Sequence, residues 1–286
     1  MATAIFGDYD QDGLDAQYNL RPLVPDFQTH FDAWARDSEA AREAHPPRIL
    51  SYGPHPRARL DLFVPTTAPG SGAPLLVFIH GGYWRTFDRT SFSFVAPPFL
   101  ARDCAVAVLE YPLAPDARMA EIVAHVRDAV AWLARNAEML GLDAGRLVVA
   151  GHSAGGHLAG MVAATQWVEL DLPRTLIKGM IGISGLYDLE AIRLCFLDED
   201  LKLTAEDDAA YSPARLPPRL DGPAVAAVGG LETAEYHRQT RNLVAAWSGA
   251  AEIRPMIVEG RHHFDILGRL ATPGDPLHEA ALTALR

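Results

Sequence analysis

A serine flanked by small residues lies near the middle of the chain. Residues 151–155 read G-H-S-A-G, directly after the apolar run 146–150 and before an apolar helical stretch. Gly151 and Gly155 permit a sharp strand-to-helix turn, which would present the Ser153 hydroxyl within reach of a base. The N-terminus of the following helix adds a positive dipole end for a developing oxyanion. The pattern predicts a nucleophile; the alternative is a glycine-rich turn with an N-capping serine.

Two consecutive glycines form the second signal. Gly81 and Gly82 follow the apolar run 75–79, so they are expected at the carboxyl end of a strand, where α/β folds bind ligands. Backbone N–H groups exposed there can bind an oxyanion. The expected oxyanion hole consists of Gly81, Gly82, Tyr83 and, from the serine turn, Ala154. The preceding histidine, His80, is predicted to hold this loop and not to act as the base.

A base and an acid should follow the serine in the order Ser, acid, His. His262 and His263 come just after the last apolar run, 253–258. We predict His263 as the base because Phe264 beside it can anchor it, and His262 remains the alternative.

The acid should follow the preceding apolar run, 224–228. Glu232 is the nearest carboxylate to the end of that run and is the predicted orienting acid. Glu235 is the first alternative, because either residue could instead be a first-turn helix charge. Asp188 and Asp265 are weaker substitutes.

The elements that must position these residues alternate along the chain. Short apolar runs, expected as strands, are separated by helix-like stretches, the clearest from Arg118 to Leu140. This alternation predicts an α/β fold with a mostly parallel central sheet and helices on both faces. The expected strands are 59–64, 75–79, 105–109, 146–150, 180–183, 224–228 and 253–258.

Two segments lie outside this alternation. Residues 1–45 read as an N-terminal helical arm, whose Phe27, Phe31 and Trp34 give it one apolar face. Residues 186–218 are long, acidic and proline-rich at their end, which favours a small cap or lid insertion over a plain surface excursion. The whole chain, 1–286, is expected to form a single domain.

Composition excludes several classes of protein. The chain has 286 residues with a net charge of −11, and no basic tract suggests binding to nucleic acid or to a membrane surface. Two cysteines exclude a disulfide scaffold, and no metal-ligand pattern is present. The apolar runs are shorter than the roughly 20 residues of a membrane span. The first ten residues lack the charge and apolar core of a signal peptide, so a cytoplasmic location is expected.

Several motifs together resemble the arylformamidase (kynurenine formamidase) branch of the α/β-hydrolases, which is related to the hormone-sensitive-lipase-like esterases. The similar segments are H-G-G-Y-W at 80–84, D-A-Q-Y-N at 15–19, V-P-D at 24–26, G-H-S-A-G-G-H-L at 151–158, S-G-L-Y-D-L at 184–189, E-T-A-E-Y-H-R-Q at 232–239 and H-F at 263–264. They cover nearly the whole chain. The family pattern has Asp where this chain has Glu232, and the longer side chain can still reach His263.

The resemblance implies an α/β-hydrolase fold and a serine hydrolase that needs no cofactor. Ser153, Glu232 and His263 would form the triad, and the substrate would be a small carboxylic ester or an aryl formamide such as N-formylkynurenine. Tyr83 and Trp84 would form an aromatic wall for the leaving group, unless they serve only in packing. The alternative function is non-catalytic binding of a small molecule on the same fold. The oligomeric state stays open, a homodimer included.

Overall fold

A computed structural model describes residues 3–67 and 72–286. Within them, eight strands form one sheet. They are β1 (Arg48–Ser51), β2 (Arg59–Phe63), β3 (Ala73–Ile79), β4 (Ala105–Leu109), β5 (Leu142–His152), β6 (Ile177–Ile183), β7 (Ala224–Gly229) and β8 (Ile253–Val258). Their order in the sheet is β1-β2-β4-β3-β5-β6-β7-β8. The pairs β1–β2 and β2–β4 are antiparallel and all others are parallel, which confirms the predicted α/β fold class.

Helices occupy the connections between these strands. The α-helices are α1 (Gln11–Tyr18), α2 (Phe27–Ala44), α3 (Ala96–Leu100), α4 (Met119–Arg135), α5 (Ala137–Leu140), α6 (Ala154–Ala163), α7 (Glu190–Arg193), α8 (Asp198–Leu201), α9 (Ala205–Tyr211), α10 (Ala234–Trp247), α11 (Leu267–Leu270) and α12 (Pro276–Ala284). Short 3-10 helices span Arg21–Leu23, Arg89–Val95, Trp167–Leu170 and Pro213–Arg215. In the described ranges, no helix combines the length and the apolarity needed to cross a membrane.

The central strands are buried on both faces. Every residue of β3 and of β4 is buried, as expected of parallel strands covered by helices on each side. Helices α6 and α12 both pack against β5 and β6. Because a helix about 10 Å wide already covers two strands, two helices on the same pair of strands lie on opposite faces.

Strands β2 to β8 coincide with the predicted apolar runs, but several bounds differ. Strand β2 ends one residue before Val64, whereas β3, β5 and β6 begin two to four residues earlier than predicted, and β5 and β7 end two and one residues later. Strand β1 was not predicted. It has four residues, pairs antiparallel with β2 at the sheet edge, and is largely exposed. An edge strand that buries so little apolar surface leaves no periodicity in the sequence. The predicted helix from Arg118 to Leu140 is divided at Asn136, whose φ of −103° and ψ of 6° separate α4 from α5.

Helix α2 is held against the sheet by aromatic packing and by buried charge. Phe31 and Trp34 on its inner face pack edge-on against Phe87 and Phe264, with ring centroids 5.1–6.5 Å apart. Asp61 of β2 is fully buried and pairs with Arg42 of α2. Asp61 also accepts a hydrogen bond from Arg89 Nε at 2.8 Å, and Arg89 pairs in turn with Glu110. Because these buried charges are paired with one another, they fix the position of α2 against the sheet.

The segment 186–218 contains three short helices, α7, α8 and α9, and the 3-10 helix Pro213–Arg215. It is anchored by buried polar contacts: Gln239 Oε1 of α10 accepts hydrogen bonds from the backbone N–H groups of Tyr187 and Asp188, both at 2.7 Å. Phe196 and Asp200 of this segment reach the cavity described below.

The strand order determines where the loops meet. The chain passes from β3 outward to β4 on one side, whereas β5 lies on the other side of β3. A crevice for ligands opens at such a reversal, at the carboxyl ends of the strands. Ile79, the last residue of β3, pairs with Gly151 of β5. The glycine loop after β3 therefore lies next to the serine turn after β5.

Candidate active site

Ser153 lies on a strained turn between β5 and α6. Its φ of +58° and ψ of −121° place it in a conformation that L-residues rarely adopt. The turn is too tight for side chains on its flanks: a Cβ at Gly151 would lie 2.1 Å from Gly155 O, and a Cβ at Gly155 would lie 2.0 Å from Ile79 O. Because both neighbours must be glycine, the serine side chain is presented alone at the end of the sheet.

His263 and Glu232 are in direct contact. His263 Nδ1 lies 2.7 Å from Glu232 Oε2, so the imidazole donates Nδ1–H to the carboxylate. Glu232 is itself held: its Oε1 accepts hydrogen bonds from Ser184 Oγ at 2.5 Å and from the Gly229 N–H at 2.7 Å. Both side chains are almost fully buried. Among the described residues the His263 ring makes no other hydrogen bond, and His263 lines the same cavity as Ser153.

Two rings hold the imidazole of His263. The centroids of His152 and Tyr236 each lie 4.6 Å from that of His263. His152 also bonds through Nε2 to the carbonyl oxygen of His263 at 2.8 Å. Burial, and secondarily the neighbouring His263, lower the pKa of His152 well below its ordinary value. His152 is therefore neutral, with its proton on Nε2.

The alternative base, His262, faces another part of the molecule. Its ring lies edge-on to His30 at 4.8 Å between centroids, and its Nδ1 accepts the backbone N–H of Phe264 at 3.2 Å. It does not line the cavity that contains Ser153 and His263. Burial lowers its pKa, with His30 and His263 acting in the same direction and Asp265 and Asp26 opposing them.

The alternative acids are engaged in structural contacts. Glu235 is buried, accepts the Tyr18 hydroxyl at 2.8 Å and pairs with Arg238 at 2.9 Å. Asp188 also pairs with Arg238, at 2.7 Å, and Asp265 accepts the backbone N–H of His262 at 2.8 Å. Of the four candidate acids, Glu232 is the one in contact with His263. No group of three or more His, Cys, Asp and Glu side chains within the described residues is arranged as metal ligands would be.

The glycine loop after β3 faces the same cavity. Gly81, Gly82 and Tyr83 line it together with Ser153. Gly82 has a φ of +105° and Tyr83 a φ of +52°, so the backbone turns sharply here and its N–H groups are not drawn into the sheet. Ala154 is the first residue of α6, and its N–H is among the four that no carbonyl within the helix can accept.

The adjacent residues Tyr83 and Trp84 lie in different environments. Tyr83 lines the cavity, and its hydroxyl donates to the Tyr18 carbonyl at 2.7 Å and contacts the Tyr236 hydroxyl at 2.7 Å. Trp84 does not line the cavity: it is fully buried, and its indole N–H donates to His157 Nδ1 at 3.2 Å. Of the two, therefore, only Tyr83 is placed to form part of the cavity wall. His80 is fully buried, stacked on Tyr111 at 4.4 Å between centroids.

The cavity has a volume of about 440 Å³, within the usual range for sites of small molecules. One part is aromatic and a second is polar. The aromatic part is contributed by Phe31, Trp34, Phe87, Phe92 and Phe264. The polar part includes Arg85 and Asp200, an ion pair at 2.5 Å that joins the glycine loop to the 186–218 segment.

Sequence reasoning missed several residues that form the site. Tyr18, Asn19, Leu20 and Arg21 of the N-terminal arm line the cavity, although nothing in their spacing marks them as part of a pocket. The contacts of His152 were also missed. The residue type could have indicated them, because a histidine next to the serine is a polar group that needs a hydrogen-bond partner once it is buried.

Comparison with known proteins agrees with this architecture. The profile of the BD-FAE family matches residues 60–202, which is half of the chain. A kynurenine formamidase from Salmo salar is 29% identical over 264 residues, covering 89% of this chain and 88% of that protein. The kynurenine formamidase of Danio rerio is 28% identical, covering 91% of each.

Solved structures show the same fold. A provisionally assigned thioesterase from Silicibacter sp. superimposes with a TM-score of 0.82 at 33% identity, covering 94% of this chain and 98% of that one. A thermophilic carboxylesterase from a metagenomic library superimposes with a TM-score of 0.70 at 20% identity, covering 91% and 96%. The chain therefore belongs to the BD-FAE family, shares the fold of these solved hydrolase structures, and is similar along most of its length to the kynurenine formamidases.

Proposed function

We propose that this hydrolase is a serine hydrolase that cleaves small carboxylic esters or aryl formamides through an acyl-enzyme on Ser153. The observation that carries the proposal is the 2.7 Å hydrogen bond between His263 Nδ1 and Glu232, beside a cavity that Ser153 and His263 share. With the proton of the neutral ring on Nδ1, Nε2 has the lone pair that a general base requires.

The reaction begins when Ser153 Oγ attacks the substrate carbonyl carbon while His263 Nε2 takes its proton. Glu232 stabilises the imidazolium that forms and keeps the ring oriented. Among the described residues Ser153 Oγ and His263 Nε2 form no hydrogen bond, and such catalytic contacts commonly tighten when substrate binds. The developing oxyanion is received by backbone N–H groups of Gly82, Tyr83 and Ala154, with Gly81 shaping the loop; one such donor contributes roughly 100- to 1,000-fold in rate.

The second half of the reaction repeats these roles with water. His263 returns its proton to the leaving alcohol or amine, then activates a water molecule that attacks the acyl-enzyme and releases the acid. Formyl amides and small esters share this path and differ in the size of the acyl group and in the leaving group. The aromatic part of the cavity supports an aryl leaving group, because offset and edge-to-face ring contacts add to the gain from apolar burial.

A fluorophosphonate probe tests the nucleophile directly. The intact protein should be labelled at Ser153, and Ser153→Ala should remain folded, lose labelling and lose hydrolysis by ~10⁴-fold or more. An unlabelled wild-type protein without turnover would instead favour a non-catalytic binding protein on this fold. Hydrolysis retained by a folded Ser153→Ala variant would refute the mechanism.

Substrate choice is tested by kinetics on N-formylkynurenine and on short p-nitrophenyl esters. A large preference in kcat/KM for the formamide identifies an aryl formamidase. Turnover of the esters alone identifies a carboxylesterase.

A further inference from the structure

A second cavity lies far from the first and is lined by groups that donate hydrogen bonds. It has a volume of about 190 Å³ and is lined by Thr165, Gln166, Trp167, Val168, Arg174 and Arg219. It shares no residue with the cavity around Ser153. Helix α6 begins beside Ser153, and Thr165 lies two residues beyond its other end. Ten helical residues span about 15 Å, so the two cavities are at opposite ends of α6.

Two residues that line this cavity each have a buried donor without an acceptor among the described residues. Trp167 is fully buried and its indole Nε1–H makes no hydrogen bond. Arg219 Nε is likewise buried and without a partner, while the Arg219 backbone N–H is bound to Ala163 O at 2.7 Å. A buried donor left without an acceptor costs about 1–3 kcal/mol, so a cavity beside two such donors favours a ligand that accepts hydrogen bonds.

The charge of the cavity is positive. Arg174 is exposed and Arg219 half-buried, and within residues 3–67 and 72–286 neither forms an ion pair. A third guanidinium contacts a residue that lines the cavity: Arg127 Nε donates a hydrogen bond to Thr165 Oγ1 at 2.9 Å. No carboxylate lines the cavity. Burial lowers the pKa of Arg127, and the nearby carboxylate of Glu169 opposes this shift without forming an ion pair with Arg127. This is a concentration of unpaired cations in a chain whose net charge is −11.

We propose that Trp167, Arg174 and Arg219 form a binding site for a small oxyanion, a carboxylate or a phosphate. The planar guanidinium of Arg219 offers paired donors that match two oxygens of such a group, and the indole N–H of Trp167 supplies a third donor from the buried side. Arg174 places a further positive charge at the exposed side of the cavity. The site is independent of the hydrolytic reaction proposed above.

Indole resonances of the ¹⁵N-labelled full-length protein test the proposal. The chain has five tryptophans, and Trp167→Phe assigns the relevant signal. Titration with inorganic phosphate, at an ionic strength held constant with chloride, should move the Trp167 indole signal to saturation. The indole N–H groups of Trp84 and Trp247 already donate to His157 and to the Pro213 and Leu216 carbonyls, so their signals should stay fixed.

Arg219→Gln should raise the dissociation constant for phosphate about tenfold or more, because hydrogen bonds to charged groups contribute about 1.5–3 kcal/mol. The matched control is Arg254→Gln, which removes the same charge from an exposed position on β8 and should leave the constant unchanged. Both variants should retain the hydrolysis rate.

A parallel titration with acetate separates the two ligand sources. Saturation with phosphate alone identifies a phosphate site, saturation with acetate alone a carboxylate site, and saturation with both a general oxyanion site. The proposal is overturned if neither anion moves the Trp167 signal to saturation, or if Arg254→Gln weakens binding as much as Arg219→Gln.

Discussion

His152 Nε2–H donates a hydrogen bond of 2.8 Å to the carbonyl oxygen of His263. The residue before the proposed nucleophile thus holds the backbone of the proposed base, and its ring packs against the ring of that base at 4.6 Å. One neutral imidazole thus fixes two loops to each other that lie 111 residues apart in the sequence. We therefore expect His152 to act as a positioning residue.

Replacing His152 should slow the reaction without weakening substrate binding. His152→Phe keeps a ring in place but removes the donor, so the His263 backbone can shift, and a displacement near 1 Å can cost about 100-fold in rate. We expect kcat to fall roughly 10- to 100-fold at a nearly constant KM. His152→Gln can still donate from its amide and should recover most of the loss. Equal losses in both variants, or a change in KM alone, would contradict a positioning role.

The two adjacent histidines should differ sharply. His263→Ala removes the proposed base and should lower kcat by ~10⁴-fold, measured on a p-nitrophenyl ester. The matched change His262→Ala removes a side chain that contacts His30 and the backbone outside the cavity, and its kcat should stay within about tenfold of the wild type. If the His262 variant is the more damaged, the base is assigned to the wrong residue.

The two glutamates should separate catalysis from stability. Glu232→Gln keeps the shape but loses the charge that orients His263, so kcat should fall by about 10³- to 10⁴-fold. Glu235→Gln leaves the triad untouched and weakens contacts with Tyr18 and Arg238.

For Glu235→Gln, urea unfolding should show a loss of about 1–3 kcal/mol, with kcat within about tenfold of wild type. The reverse pattern, a slow Glu235 variant and an active Glu232 variant, would move the acid to Glu235.

Acid should destabilise the fold through its buried histidines. Burial lowers the pKa of His80 and of His157 to about 4 from an ordinary 6.5. Between these values the unfolded chain binds protons that the folded chain does not, so stability is full above about pH 6.5 and falls as the pH approaches 4. Each group contributes on the order of 3 kcal/mol over that interval.

Urea unfolding at a series of pH values measures this dependence. His80→Phe should reduce the loss between pH 6.5 and 4, because the phenyl ring can occupy the stack on Tyr111 without titrating. An unchanged slope in that variant would show that His80 is not among the groups responsible.

Much of the fold was readable from local pattern. Continuous apolar runs predicted the buried strands because a parallel strand covered on both faces can carry few polar side chains. The edge strand β1 could not be read, since its four residues are largely exposed. The division between α4 and α5 at Asn136 was also hidden, because the apolar stripe continues across it.

The candidate site also contains residues that the sequence predicted and residues that it left undecided. Sequence spacing predicted Ser153 and the glycine loop, since their chemistry requires small residues next to one another along the chain. It left Glu232 with three alternatives and His263 with one, because contacts between loops depend on how distant strands are ordered. Trp84 shows the limit: its neighbour Tyr83 lines the cavity, whereas Trp84 turns to His157 inside the core.

By itself, the sequence determined the fold class and the kinds of group that could do chemistry, because both follow from periodicity and from residues close together in the chain. The tertiary structure alone decided which carboxylate contacts His263, that the N-terminal arm completes the cavity, and that His152 joins the serine turn to the histidine loop. Each of these is a contact between segments far apart in sequence, and only the strand order of the sheet brings such segments together.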